Sequence, residues 1–170
     1  MADAVVAAQQ PEGHWTRSML DPSHAPGYET SGTAFFTYGL LWGLNNGYLQ
    51  GQRYADAARK GWNYLRKVAL QRDGSVGYVQ PIGEKAIPGQ TVDAGSVSNF
   101  GTGAFLLAAC EYVRMLEAHG NADREYWVQL LDKMARPVLS LMAEGRLQAE
   151  MELELSPSWD GRDKRVAYME

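Results

Sequence analysis

The sequence predicts an all-α protein in which inner and outer helices alternate in stacked pairs. Two segments, 28–36 and 98–107, both place a Gly-Thr pair at the mouth of an apolar helix, and Gly32 and Gly101 lie 69 residues apart. A long, turn-rich loop precedes each of these segments. A repeat of this length holds two helices with their connections, which is more typical of helical arrays and toroids than of a single compact bundle.

The first inner helix is predicted at about 31–45, after a short helical piece at 2–9. Thr30 or Ser31 is the expected N-cap, because a short polar side chain accepts a hydrogen bond from the first backbone N–H groups. Small and aromatic residues occupy all sides of this segment, which is typical of a helix that is buried on most of its surface. Asn46-Gly47 is expected to end it.

The elements that follow continue the alternation. An amphipathic outer helix is predicted at about 53–69, since apolar residues follow helical spacing there and charged residues fill the other face. A strand-like segment is expected at 75–80, and the second inner helix at about 102–118. A fourth helix is predicted beyond Asp123.

The loops that lead into the two inner helices are much longer than the turns that follow those helices. They run over about 10–29 and 72–100, and loops longer than roughly 15 residues inside a domain are usually functional. In a ring of paired helices, all loops that enter inner helices lie on one face. The sequence therefore predicts that any site lies on that face.

Composition and charge exclude several classes of function. The net charge is −4 and the basic residues are scattered, which argues against a nucleic-acid partner. The histidines His14, His24 and His119 lack the spacing of a metal site, so neither a metal nor a cofactor is expected. Cys110, the only cysteine, lies in an apolar run and is predicted to be a small buried residue.

No membrane segment is expected either. The apolar stretches are all shorter than the roughly 20 residues that a membrane-spanning helix requires. The first ten residues, MADAVVAAQQ, lack the basic start of a signal peptide. Localisation is left open, since a longer parent protein would be compatible with the periplasm or with secretion.

Several segments occur in the order and spacing of a known enzyme family and together cover residues 1–117. They are Gly13-His14-Trp15, Leu20-Asp21-Pro22, Glu29–Phe35, Tyr38–Gly47, Asp73–Gly77, Gln80–Gly83 and Gly101–Ala108. The set resembles glycoside hydrolase family 105, the unsaturated rhamnogalacturonyl hydrolases, and more distantly the related family 88-like unsaturated glucuronyl hydrolases.

The resemblance implies a fold and a reaction. The fold is an (α/α)6 toroid, of which residues 1–120 would form about the C-terminal half. In these enzymes an aspartate of the N-terminal half protonates the C4–C5 double bond of an unsaturated uronic acid, water adds at C5, and the sugar is released. No segment of this chain matches the motif of that aspartate, so the catalytic residue is expected outside residues 1–170.

A second, fainter resemblance covers the end of the chain. The segments Asp123–Val128, Lys133–Leu139, Trp159–Arg162 and Ala167–Glu170 are similar to the opening of another helical-toroid family, one linked to β-glucuronidase activity. This similarity implies that 121–170 is the start of a second module.

Four residues on or near the loop-bearing face are the candidate substrate contacts: Trp15, Arg17, Glu29 and Tyr78. An indole face suits a pyranose ring, a guanidinium suits a uronate carboxylate, and the Glu29 carboxylate suits a sugar hydroxyl. Three of them have a structural alternative: Trp15 as an anchor for a rim loop, Arg17 as solvated surface, and Glu29 as a carboxylate favoured by the dipole of the helix that it precedes.

Half a toroid would leave its inner helices with uncovered apolar surface. The chain is therefore expected to meet the missing half of the barrel or to self-associate through these helices, and its substrate is expected to be an oligosaccharide. Two alternatives remain open at this stage. One is a non-catalytic helical module for carbohydrate binding or interaction; the other is a terpene-cyclase-like toroid, although the acidic motif of that class is absent.

Overall fold

The computed structural model describes residues 1–83 and 86–119, together with the positions 125, 128–129, 131–133 and 136. The described helices are α1 (Ala2–Ala7), α2 (Thr30–Asn45), α3 (Gln52–Tyr64) and α4 (Asn99–His119), and α3 continues into a π-helical turn over Leu65–Ala69. Within these residues, extended pairing is limited to one antiparallel bridge between Leu70 and Val76. The prediction of an all-α fold is confirmed.

The chain divides into two compact units, Met1–Val128 and Gln129–Glu170. Almost all of the second unit lies outside the described residues. Most of the fourth predicted helix and of the proposed second module at 121–170 also lies outside the described residues.

Helix α2 is the centre of the first unit and packs against both α3 and α4. The core that it shares with α3 consists of Trp15, Leu40, Leu41, Ala57 and Ala58. Close packing of the two helices depends on Gly61, because a Cβ atom at that position would overlap the Thr37 hydroxyl. The amphipathic pattern predicted for α3 thus places its apolar side against α2.

Each inner helix keeps one apolar stripe uncovered within the described part of the chain. The two stripes are Phe35, Gly39 and Trp42 on α2 and Gly103, Leu107 and Cys110 on α4. The prediction that Cys110 is buried is wrong, because Cys110 lies on this open side of α4 and is exposed. Its neighbours Ala108 and Ala109 are buried, whereas Cys110 lies on the side of α4 that does not face α2.

The long loops meet at the starts of α2 and α4, as the sequence predicted. Thr30 at the start of α2 donates its backbone N–H to the Tyr78 carbonyl at 2.8 Å. At the start of α4, Gly101 packs so tightly on Val79 that a Cβ atom would overlap the valine side chain. Both inner helices therefore begin on the face that carries the long loops. Among the described helices, none has the length and hydropathy of a membrane span.

Candidate functional site at the starts of the inner helices

Glu29 is the N-cap of α2, with an extended backbone at φ −143° and ψ 120°. One carboxylate oxygen accepts the Ser31 backbone N–H at 2.9 Å and the Ser31 hydroxyl at 2.7 Å, and the other accepts the Gly32 N–H at 2.7 Å. The Gln80 N–H, 3.3 Å away, also points to this carboxylate. Glu29 is only 2% exposed, so its charge is balanced by N–H groups and by the positive end of the helix dipole. The expected N-cap, Thr30 or Ser31, is wrong, since the chain turns into the helix one residue earlier.

The threonine of each Gly-Thr pair makes the same bond to the chain before it. Thr33 donates its hydroxyl to the Glu29 carbonyl at 2.6 Å, and Thr102 donates its hydroxyl to the Ser98 carbonyl at 3.3 Å. Thr33 also accepts the backbone N–H of Trp15 at 3.0 Å. The repeat seen in the sequence is thus a repeat of helix-start geometry.

Tyr78 adopts a left-handed backbone conformation with φ 60°, which is uncommon for a residue with a bulky side chain. Two backbone bonds hold it there: its N–H donates to Asp93 and its carbonyl accepts from Thr30, both at 2.8 Å. Its half-buried ring meets Tyr28 edge to face, with the ring centroids 5.3 Å apart. Backbone strain of this kind is concentrated at functional sites.

Tyr28 belongs to an aromatic cluster that extends into the core. Its ring lies 4.9 Å from His14 and 5.3 Å from Tyr64, and the Tyr64 hydroxyl is 3.0 Å from the Thr30 hydroxyl. Burial lowers the pKa of His14, and burial likewise raises the pKa of Tyr64. Nδ1 of His14 has no hydrogen-bond partner among the described residues. Burial of His14 therefore disfavours its charged form.

Arg17 connects the two long loops. Its guanidinium donates to the side-chain oxygen of Gln90 at 2.8 Å and to the Gln90 carbonyl at 3.3 Å. A second contact between the same loops joins the His24 ring to the Ala86 carbonyl at 3.3 Å. In this structure, Arg17 fixes the position of the later loop.

Trp15 is a core residue that is 1% exposed. Its indole N–H donates to the Val5 carbonyl at 2.7 Å, and its ring packs on Phe36 with the centroids 5.4 Å apart. The indole N–H and the ring of Trp15 both anchor the first long loop. This agrees with the alternative in which Trp15 anchors a rim loop.

A cavity of about 500 Å³ lies beside the start of α4. Its lining comes from 79–82 and, later in the chain, from Thr91 and 95–98, and Phe100 adds the first turn of α4. The sequence predicted the loop-bearing face but not this cavity. The two lining segments are about ten residues apart in the chain, and no local pattern indicates that they meet. In the described part of the chain, no group of three or more acidic, histidine or cysteine side chains is placed to hold a metal ion.

The fold and these residues can be compared with known proteins. The model of glycosyl hydrolase family 88 matches residues 1–116. The chain belongs to this family. Two curated relatives, both unsaturated 3S-rhamnoglycuronyl hydrolases, are similar to it. The protein from Alteromonas sp. (strain LOR) is 43% identical over 110 residues, and that from Formosa agariphila is 40% identical over 117 residues.

Solved structures agree with this assignment. A family 88 glycosyl hydrolase from Bacteroides vulgatus is 66% identical with a TM-score of 0.65, and a protein described as a polysaccharide lyase is 72% identical with the same TM-score. Each match covers 68% of this chain and 33% of the other. A possible family 105 member from Salmonella enterica, 22% identical with a TM-score of 0.58, covers 67% of this chain and 30% of its own and supports the fold alone.

The matched region is a small part of these proteins. It covers 65% of this chain but 26% of the Alteromonas protein, and 69% of this chain but 30% of the Formosa protein. The chain thus spans between a quarter and a third of the curated relatives that it matches. Family membership excludes the terpene-cyclase alternative.

Proposed function

We propose that this chain is part of a glycoside hydrolase that acts on unsaturated uronic-acid oligosaccharides, of the rhamnogalacturonan or glucuronide type. The observation that carries the proposal is the family 88 match over residues 1–116, together with two relatives named unsaturated 3S-rhamnoglycuronyl hydrolases. The catalytic aspartate lies outside residues 1–170, since no segment here matches its motif.

In this proposal, the chain supplies one side of the barrel and part of the substrate rim. Tyr78 is the candidate for direct contact with the substrate, because its ring is half-buried at the mouth of α2 and its backbone is held in place. Trp15, Arg17 and Glu29 support the rim: they anchor the first loop, join the two loops and cap α2, respectively.

The rest of the barrel covers the two apolar stripes. Phe35, Trp42 and Leu107 are 48%, 40% and 45% exposed, and a cavity of about 310 Å³ opens beside Phe35 between α1 and α2. Uncovered surface of this kind favours a partner. Self-association through the same stripes is the competing arrangement. Residues 1–120 would belong to the hydrolase domain, and 121–170 to the start of a second module.

An ultraviolet assay of the conjugated double bond tests the proposal. The substrate is an unsaturated uronic-acid disaccharide, and the proteins are this chain and a polypeptide extended on its N-terminal side to the length of the relatives. We expect loss of absorbance with the extended polypeptide and none with the chain alone. Loss with the chain alone would place a catalytic acid within residues 1–170. No loss with either protein would favour the non-catalytic binding module.

The same assay addresses a second activity. The neighbour described as a polysaccharide lyase is 72% identical to this chain. A lyase forms the C4–C5 double bond by elimination, whereas the hydrolase consumes it. An increase of absorbance with an intact polyuronide, and no change with the unsaturated disaccharide, would therefore assign lyase activity to the extended polypeptide.

A further inference from the structure

The turn that ends α2 carries a chemically reactive pair of residues. Asn46 is the C-cap of α2, and it is the only asparagine of the sequence that is followed by a glycine, Gly47. Both residues are exposed. The side-chain amide of an asparagine is open to attack by the backbone nitrogen of the next residue, and a glycine offers the least hindrance because it has no Cβ atom. This turn lies at the end of α2 that is opposite to the loop-bearing face.

The folded turn holds the two reacting groups apart. The side-chain amide of Asn46 donates to the Trp42 carbonyl at 2.7 Å, and the backbone N–H of Gly47 donates to the Leu44 carbonyl at 3.2 Å. At the observed ψ of 6° for Asn46, the nitrogen of Gly47 is nearly eclipsed with the backbone nitrogen of Asn46 and so points away from the asparagine side chain. The attack therefore requires the turn to open.

A stacked pair of aromatic rings closes this turn. The rings of Trp42 and Tyr48 lie within 7° of parallel, with their centroids 5.1 Å apart, and they connect the last turn of α2 to the residue after Gly47. Leu49 adds a backbone bond from its N–H to the Gly43 carbonyl at 3.0 Å. Tyr48 is 75% exposed, so the turn lies at the surface, where local opening costs much less than global unfolding.

We propose that Asn46 is a modification site, which is converted to aspartate or isoaspartate when the turn opens. The Gly47 nitrogen bonds to Cγ of Asn46, the bond from Cγ to Nδ2 breaks, and Nδ2 leaves as ammonia with the proton that the Gly47 nitrogen gives up. Water then adds to either carbonyl of the five-membered imide and breaks its bond to the Gly47 nitrogen. One water is consumed and one ammonia is released, so no oxidant or reductant is required.

The modification changes the end of α2 in two ways. A carboxylate replaces the amide that donates to the Trp42 carbonyl, so that bond is lost. The carboxylate also places a negative charge at the C-terminal end of the helix, where the dipole is negative as well. Trp42 belongs to the open apolar stripe of α2, so the product is expected to be less ordered at the end of this stripe.

Mass spectrometry of peptides from the 170-residue chain tests the proposal, during incubation at mildly alkaline pH. The chain in urea serves as the reference, because it gives the rate without a folded turn. We expect the mass increase of an amide-to-acid conversion at Asn46 in both samples, and a faster conversion in urea. Asn45 is the internal control, since no glycine follows it and its amide donates to the Glu111 carbonyl and carboxylate in the folded chain. Its conversion should be much slower.

Two variants of Tyr48 test whether the stacked rings control the opening. Tyr48→Phe keeps a ring against Trp42, whereas Tyr48→Ala removes it at an exposed position, where folding tolerates truncation. Circular dichroism verifies both folds. When opening is fast, the rate follows the population of the open form. Loss of the stacked pair should therefore accelerate conversion in Tyr48→Ala about two- to tenfold, while Tyr48→Phe keeps the original rate. In urea the three proteins should convert equally fast.

Three results would overturn the proposal. The first is an unmodified Asn46 in the folded chain after a time in which the chain in urea is fully converted. The second is equal conversion at Asn45 and Asn46, and the third is equal rates in folded Tyr48→Ala and Tyr48→Phe. Asn46→Ser should remove the mass increase from this peptide, which verifies the assigned position. None of these results depends on the proposed function, because no sugar is involved.

Discussion

Helices α2 and α4 begin with the same Gly-Thr pair, yet the start of α2 is closed by protein groups and the start of α4 borders a cavity. The threonines make equivalent bonds to the carbonyl four residues before them. The difference lies three residues before each glycine, where Glu29 stands in one copy and Ser98 in the other. A buried carboxylate occupies the first helix start, whereas Ser98 lines the cavity at the second.

This comparison shows that a sequence repeat fixes the geometry of a helix start but not its use. Thr30, Ser31 and Thr33 are 0%, 7% and 0% exposed, so a ligand has no access to these three side chains. Asn99 at the start of α4 is exposed, and Phe100 and Thr102 are only half-buried. The first copy is closed by protein groups, and we propose the second as the place where a ligand binds.

The largest loss of stability is expected when the carboxylate of Glu29 is removed. Glu29→Ala leaves the N–H groups of Ser31 and Gly32 unbonded in a buried setting, so we expect a loss of about 2–4 kcal/mol in the free energy of unfolding. Ser98→Ala should change it by no more than about 1 kcal/mol. Urea denaturation of the two variants measures the difference. Equal losses would mean that the two helix starts are equivalent after all.

The two glycines of the repeat are expected to differ in the opposite sense, with the larger loss of stability at the start of α4. A Cβ atom at Gly101 would overlap Val79, whereas at Gly32 the nearest contact is a Glu29 oxygen at 3.0 Å. We expect Gly101→Ala to destabilise by about 1–3 kcal/mol through overpacking. Gly32→Ala should cost less, because its closest contact is longer and is made by the end of a side chain. The better helix propensity of alanine, about 0.5–1 kcal/mol at either position, then offsets a larger part of the crowding.

A double-mutant cycle identifies the cause. If overlap with Val79 is responsible, Val79→Ala should recover part of the stability lost in Gly101→Ala, so that the two changes are not additive. Additive losses would contradict the packing explanation.

His14, in the aromatic cluster behind α2, should make the stability of the folded chain depend on pH. Burial lowers the pKa of His14 in the folded chain below the ordinary 6.5, so between the two pKa values the unfolded chain binds more protons than the folded one. The free energy of unfolding should therefore fall as the pH decreases below about 6.5. Denaturation at a series of pH values measures this slope, and His14→Phe should reduce it while keeping an aromatic ring in place. An unchanged slope would show that His14 is not its source.

The smallest change in stability is expected when the contact of Arg17 with Gln90, which joins the two long loops, is removed. Arg17→Ala removes two bonds to Gln90 near the surface, so stability should change by less than about 1 kcal/mol. Amide hydrogen exchange should nevertheless become faster at 86–91. Arg59→Ala is the control, since that arginine pairs with Asp56 on the exposed side of α3. Unchanged exchange at 86–91 would mean that Arg17 does not hold this loop.

Much of the fold was predictable because helices have a local signature. The inner helix predicted at 31–45 is observed at Thr30–Asn45, and the one predicted at 102–118 is observed at Asn99–His119. The outer helix predicted at 53–69 is also present, although its last turn is π-helical. The strand-like segment at 75–80 forms only one bridge, at Val76, because the left-handed conformation of Tyr78 ends the extended chain.

The candidate site was less predictable because its contacts join distant residues. Tyr28 lies beside Tyr78, and His14 beside Tyr64, each pair separated by about fifty residues, and no periodicity reports such pairs. The position of Tyr28 directly before Glu29 was the one available signal. Glu29 was not expected to be the N-cap because shorter side chains dominate that position. Whether Trp15, Arg17, Glu29 and Tyr78 contact substrate stays a prediction.

Hydrogen exchange of the extended polypeptide, with and without an unsaturated oligosaccharide, tests the difference between the two helix starts most directly. Peptides covering 79–83 and 91–102 should gain protection when the sugar binds, while peptides covering 29–37 should exchange equally slowly in both states. Protection that appears at 29–37 and not at 91–102 would contradict the account, because it would place the ligand at the helix start that Glu29 closes.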